Sequence, residues 1–271
     1  MIKLILSDLD GTIIDTHNNC DPSVHDVLQD MRKDGIRFAI CSGRPVDSYM
    51  HMLAHWHLED VTDYLIGANG GEVLELSTGR REESCTLSED TVREVIDIYE
   101  PMGLTPTLYA GRDLYVAEMT EQVKTVAARI GINPIKADIL QVLDRPQVKE
   151  MFVLDPAKME EVSAYAAAHP DPRWVCFKTA PDLFEIAHPA LGKHVGMKVI
   201  EEMSGIRPEE IIAFGDTTND IPMLERAGWG VCMANGSPDA LAAADDTAPA
   251  CADNGFAQYL RAHVSGGIFR K

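Results

Sequence analysis

Short apolar runs alternate with amphipathic helical patterns at both ends of this chain, and a segment of different rhythm lies between the two ends. Ile2 to Leu9 is β-prone and apolar until Asp10-Gly11 stops it, so it reads as a buried strand with Asp8 near its carboxyl end. Asp21-Pro22 then supplies an N-cap and an N1 proline, Val24, Val27, Leu28 and Met31 fall at helical spacing, and Gly35 marks the stop. Ile36 to Cys41 repeats the strand pattern, and Ser42-Gly43-Arg44-Pro45 turns the chain into a helix expected over 46–56. Strand, helix, strand, helix requires a parallel sheet. Tyr64 to Ala68 and Glu72 to Leu76 flank the turn-forming Asn69-Gly70-Gly71 and read as a further strand with a hairpin return.

After about residue 82 the rhythm changes to a mixed α+β pattern. Helices are expected over 88–100, 120–130 and 157–168, and strands over 105–110, 113–118, 149–154, 174–179 and 183–187. From Lys193 the alternation returns, with helix to about 204, strand 211–214, helix 218–227, strand 229–233, helix 237–244 and a last helix near 255–263. The expected fold class is therefore α/β: a Rossmann-like parallel-sheet core formed by 1–81 and 189–271, with an α+β domain, 82–188, inserted in it. A length of 271 residues accommodates two such domains.

The formal net charge is −19, which repels nucleic acid and anionic membrane surfaces and makes either an improbable partner. It also repels phosphate, so a phosphate site in this chain needs local positive charge from a metal, a lysine or backbone N–H groups. The six cysteines are dispersed with no C-x-x-C pair and read as reduced thiols. The first apolar run is too short for a signal peptide and no run is long enough to span a bilayer, which places the expected location in the cytoplasm. His51, His55 and His57 invite a metal reading, but no nearby glutamate completes a zinc motif and a surface role is the simpler reading.

In open parallel sheets the site lies beyond the carboxyl ends of the strands. Asp8-Leu9-Asp10-Gly11-Thr12 leaves one apolar strand there, and Ile211 to Phe214 runs into Gly215-Asp216-Thr217-Thr218-Asn219-Asp220 at another. Paired carboxylates from two strand ends are costly without a hard cation, and oxygen ligands alone favour Mg2+.

With these residues the chain resembles the haloacid-dehalogenase-like phosphatases, specifically the Cof-type hydrolases with a type IIB cap. Asp8-x-Asp10-Gly11-Thr12 is similar to that family's first motif, Ser42 in Cys41-Ser42-Gly43-Arg44-Pro45 to its second, Lys193 to its third and Gly215-Asp216-x-x-Asn219-Asp220 to its fourth, and Asn69-Gly70 to an Asn-Gly element of the subfamily. One departure is His194, where relatives commonly carry glycine after the lysine. The resemblance implies a phosphatase of small phosphorylated metabolites, such as sugar phosphates or phosphorylated cofactors. Asp8 would be the nucleophile that forms an aspartyl phosphate, and Asp10 the general acid and base. Thr12, Ser42, Gly43, Arg44 and Asn219 would contact the phosphorylated substrate, with Lys193 neutralising its charge. Asp8, the Asp10 carbonyl and Asp216 would hold Mg2+, with Asn219 and Asp220 in support. It also implies that 82–188 is a specificity cap. Two rivals use similar chemistry: a phosphomutase, and a phospho-accepting receiver or binding module, although a receiver is about half this length.

Overall fold

The computed structural model describes residues 1–264. The chain divides into two compact units, one of Met1–Glu82 with the chain from Gly192 onward, the other of Glu83–Leu191. In chain order the first unit begins with β1 (Leu4–Asp8), α1 (Pro22–Lys33), β2 (Arg37–Cys41), α2 (Val46–Tyr49), β3 (Tyr64–Gly67), β4 (Glu72–Glu75) and the short β5 (Arg81–Glu83) at the junction. The second unit holds α3 (Glu89–Tyr99), β6 (Thr105–Ala110), β7 (Asp113–Val116), α4 (Glu121–Ile130), β8 (Asn133–Lys136), α5 (Ile139–Val142), β9 (Lys149–Val153), α6 (Met159–Ala168), β10 (Val175–Ala180) and β11 (Leu183–Ala187). The first unit resumes with α7 (Lys193–Ser204), β12 (Ile211–Gly215), α8 (Ile221–Arg226), β13 (Trp229–Met233), α9 (Pro238–Ala243), β14 (Asp246–Ala248) and α10 (Gly255–Tyr259).

The first unit is built on an eight-stranded sheet in the order β14-β13-β12-β1-β2-β3-β4-β5. Pairings from β14 through β3 are parallel, and β4 returns antiparallel to β3. Every residue of β1 and β12 is buried, as a parallel strand covered on both faces requires. Alternate residues supply the two cores. Ile5, Phe38, Ile40, Ile212 and Phe214 pack with Val24, Val27, Leu28 and Met31 of α1 and with Phe256 of α10; Leu4, Leu6, Ala39, Ile211 and Ala213 pack with Met197 and Ile200 of α7 and Met223 and Leu224 of α8. Each large aliphatic side chain removed from water in this way contributes about 1.5–3 kcal/mol. The stop and start signals of α1 act as read: Asp21 accepts from the Ser23 N–H and Pro22 opens the first turn.

One expectation is corrected. The helix expected over 46–56 is α only across Val46–Tyr49, followed by a tighter turn at Met50–Met52. Tyr49 leaves helical geometry at φ −122° while its hydroxyl donates to the Ile66 carbonyl, and Leu53 and Trp56 are still buried without a regular helix. In the second unit a six-stranded sheet runs β10-β11-β9-β6-β7-β8. Phe152, Phe184 and Ile186 pack with α3 and α6, whereas Met151, Val153 and Leu183 pack with α4. No helix among the described residues is long and apolar enough to cross a membrane, and all six cysteines are free thiols.

Candidate active site

Strand register brings the polar clusters of the first unit together. Asp8 ends β1 level with Cys41 of β2, and Ser7 stands level with Phe214 of β12, so Ser42 and Asp216 leave their strands beside Asp8. Asp8 and Asp216 are buried and Asp220 is fully so, and the three offer carboxylate oxygens within 4.8 Å of one another. This is the one cluster of metal-ligating acids, histidines and cysteines among the described residues. His51, His55 and His57 lie exposed outside it.

Lys193, the first residue of α7, is 1% exposed and hydrogen-bonds both Asp8 Oδ1 and Asp220 Oδ1. His194 therefore leaves the lysine at the place the motif order assigns. Asp220 is saturated by the protein: its Oδ2 accepts from the N–H groups of Asp216 and Thr217, each at 2.9 Å, and its other oxygen takes Lys193. Asp216 differs, because its buried Oδ1 has no hydrogen-bond partner. A bare buried carboxylate oxygen beside two more acids and one lysine fits a hard, oxygen-seeking cation. Gly11 makes room for the arrangement at φ +84°, where a Cβ would stand 2.5 Å from Asp216 Oδ2.

Burial sets the electrostatics. It pushes the Asp8 carboxyl up to about 7 against the pull of Lys193, with Asp220 and Asp216 adding to the rise. Burial, then Asp220, raises Asp216 to about 6. Burial works against the Lys193 charge too, but Asp8 and Asp220 outweigh it and hold the ammonium above its ordinary value. Without a cation, burial thus favours the protonated forms of Asp8 and Asp216, and binding a cation would displace those protons.

The other predicted residues are distributed around this cluster. Asp10 is half-exposed and ion-paired with Arg44. Ser42 is buried, and its hydroxyl oxygen accepts from the Arg44 N–H at 3.1 Å, which leaves the hydroxyl proton available. Gly43 lies under the Asn69 side chain, and Asn219 donates to Asn69 Oδ1 at 3.1 Å. Thr12 is buried, its hydroxyl has no hydrogen-bond partner, and it is among the residues lining a cavity of about 270 Å³ with Asp15, Cys20, Asp21, Cys251 and Phe256.

Sequence reasoning missed Asn235. From the turn after β13 its Nδ2 donates to the Gly11 carbonyl at 2.9 Å and approaches Asp216 Oδ2 at 3.4 Å, while its Oδ1 accepts from the Cys251 N–H. The neighbouring Ser237 N–H donates to the Asp216 carbonyl at 2.7 Å, so this turn holds Asp216 from two sides. The available signal was an Asn-Gly pair closing an apolar strand, the pattern shared by Asn69-Gly70.

The model of a family described as haloacid dehalogenase-like hydrolase matches residues 5–260. The 5-amino-6-(5-phospho-D-ribitylamino)uracil phosphatase YitU of Bacillus subtilis is 29% identical, with 97% of each chain covered. A haloacid dehalogenase-like hydrolase from Bacteroides thetaiotaomicron superposes with a TM-score of 0.86 at 24% identity, covering 96% of this chain and 99% of its own. BT4131, a sugar phosphatase of HAD subclass IIB, superposes with a TM-score of 0.78 at 21% identity, covering 96% and 98%. Its sequence and its sheet topology agree: the chain belongs to the haloacid dehalogenase-like hydrolases.

Proposed function

We propose that this hydrolase is a Mg2+-dependent phosphatase of small phosphomonoesters that works through an aspartyl phosphate on Asp8. The observation that carries the reading is the convergence of Asp8, Asp216, Asp220 and Lys193 at neighbouring strand ends, with one acid oxygen left bare. Asp8, Asp216 and the Asp10 carbonyl would hold the cation, while Asp220, saturated by N–H donors, keeps Lys193 in place. When bound, Mg2+ would neutralise the paired acids and stabilise charge on the transferring phosphoryl group.

The chain's own groups then have defined tasks. An Asp8 oxygen attacks phosphorus in line as the ester P–O bond breaks, and the electron pair leaves on the alcohol oxygen. Asp10 gives that oxygen a proton, then takes one from the water that attacks phosphorus in the second step, releasing inorganic phosphate and restoring Asp8. Arriving phosphate competes for the Arg44 guanidinium, and its withdrawal from Asp10 frees that carboxyl to carry the proton. The Ser42 hydroxyl and the Gly43 N–H supply further donors, and Lys193 offsets charge on Asp8 and phosphate.

Substrate chemistry is assigned to sugar phosphates or phosphorylated cofactors. Support comes from relatives named for a phosphoribityl compound and for sugar phosphatase activity. All the residues assigned here to catalysis lie in the unit with the parallel sheet, which leaves Glu83–Leu191 as the proposed specificity domain. A panel of phosphorylated metabolites assayed for phosphate release tests the reading. Many turnovers in Mg2+, abolished by EDTA and restored by Mg2+, without any bisphosphate activator, are expected. Full activity in rigorously metal-free enzyme, or no release from any ester, would sink it.

A further inference from the structure

Just past β3 the chain passes through three consecutive residues with positive φ: Ala68 at 47°, Asn69 at 55° and Gly70 at 99°. Glycine adopts such angles freely and asparagine tolerates them, but alanine does not. Backbone strain of this kind persists only where the surroundings over-determine it, and it gathers at functional sites. Here the surroundings are the site itself. The Ala68 N–H donates to the Arg44 carbonyl at 2.9 Å and the Asn69 N–H to the Ser42 carbonyl at 3.1 Å. Gly70 lies so close to the residue before Lys193 that a Cβ would stand 2.2 Å from the Gly192 carbonyl oxygen. The strained turn therefore joins the Ser42 loop to the start of α7.

Its product is the placement of the Asn69 amide. A Cβ on Gly43 would stand 3.1 Å from Asn69 Oδ1 and 3.5 Å from Nδ2, so the amide covers Gly43. A one-way chain of hydrogen bonds feeds it: the Thr217 hydroxyl donates to Asn219 Oδ1 at 2.5 Å, and Asn219 Nδ2 donates to Asn69 Oδ1 at 3.1 Å. Such a chain polarises its terminal donor. Among the described residues nothing accepts from Asn69 Nδ2. A polarised N–H pair, held over Gly43 beside Ser42 and unused by the protein, is suited to an anion.

We propose that Asn69 is a phosphate-binding residue whose side-chain amide donates to a phosphoryl oxygen above Gly43. This rests on the phosphatase reading. The backbone strain and the amide are separable by substitution. Asn69→Gly keeps the left-handed turn and deletes the amide, and Asn69→Asp keeps the shape but presents a charged acceptor to the anion.

Calorimetric titration of the Mg2+-loaded protein with inorganic phosphate is the test, alongside Mg2+ titration and thermal unfolding. Asn69→Gly should weaken phosphate binding about tenfold, as expected for one lost hydrogen bond to a charged group. Its melting temperature should hold or rise, and its Mg2+ affinity should be that of the wild type. Asn69→Asp should bind phosphate more weakly still. Unchanged phosphate affinity in Asn69→Gly would overturn the assignment alone. A parallel loss of Mg2+ affinity in that variant would also overturn it, because the residue would then be bracing the whole site. Failure of the wild-type protein to bind phosphate would remove the phosphatase reading and this assignment together.

Discussion

Lowering the pH should strip Mg2+ from this protein well before it unfolds, and the size of the effect follows from two carboxyl groups. Asp8 is pushed up to about 7 and Asp216 to about 6 by burial in the metal-free protein, and a cation needs both ionised. At pH 8 the form with both carboxylates free is the major one, about nine-tenths of the molecules. At pH 5.5, one and a half units below Asp8 and half a unit below Asp216, it is on the order of 1%. The apparent Mg2+ affinity should fall on the order of 100-fold across that interval. Near pH 6.5 the two groups together carry about one proton, so binding should release about one proton per Mg2+. Isothermal titration in two buffers of different ionisation enthalpy measures both quantities. Stability is linked with the same sign: both values are raised by folding, so their contribution is full below about pH 4 and is lost as pH climbs through 6 to 7. Metal-free protein should thus melt at lower temperature at pH 8 than at pH 5.5 relative to the Mg2+-loaded form. Flat affinity over this range with no proton release would falsify the claim that Asp8 and Asp216 share the cation.

Two further outcomes are expected. Asp10→Asn keeps the backbone carbonyl, so Mg2+ affinity should change little, while rapid mixing should show phosphoryl transfer to Asp8 slowed about 10²–10⁴-fold for a sugar phosphate and far less for p-nitrophenyl phosphate, whose leaving group needs no proton; equal slowing would remove Asp10 from the acid role. Lys193→Met leaves Asp8 and Asp220 buried without their shared ammonium and should lower stability in urea by about 3–5 kcal/mol at pH 8 without metal, with a smaller loss at pH 5.5 where Asp8 is protonated; a loss below about 1 kcal/mol would show that the buried pairs do not hold this site.

Elements with strong periodicity were legible from sequence. β1 and β12 are buried, largely apolar runs that end at Asp8 and Gly215, β2 is apolar from Phe38 to Cys41, and α1 carries its cap, its proline and its apolar stripe in order. Elements that bury little were not legible. β5 is Arg81-Glu82-Glu83, an edge strand whose charges are what an exposed edge tolerates, and β8 contains Pro134 and no buried residue. β14 has three residues and takes its place from pairing with β13 rather than from its own pattern. Within the site, acids at strand ends announced themselves because desolvated charge has few structural uses. Asn235 did not, since an asparagine in a turn has many, and only its bonds to Gly11, Asp216 and Cys251 distinguish it. Arg44 was legible as a cation near phosphate, but its pairing with Asp10 depends on how the loop after β2 folds.

The position of β1 between β12 and β2 bears on how the chain is made. Leu4 pairs with Ile211, so the strand carrying Asp8 acquires one of its two neighbours only after about 200 further residues have been synthesised. At roughly 5–20 residues per second, about 10–40 s separate the appearance of these partners on the ribosome. During that interval Glu83–Leu191, whose strands β6 to β11 pair only among themselves, can fold as a unit, while β1, already paired with β2 on one side, keeps its other apolar, hydrogen-bonding edge open. The two ends of the chain that together hold the proposed metal ligands are thus also the last to meet. A nascent chain released before residue 211 would carry Asp8, Asp10, Ser42 and Arg44 yet lack Asp216 and Asp220, and would present instead an unpaired edge of β1 to its neighbours.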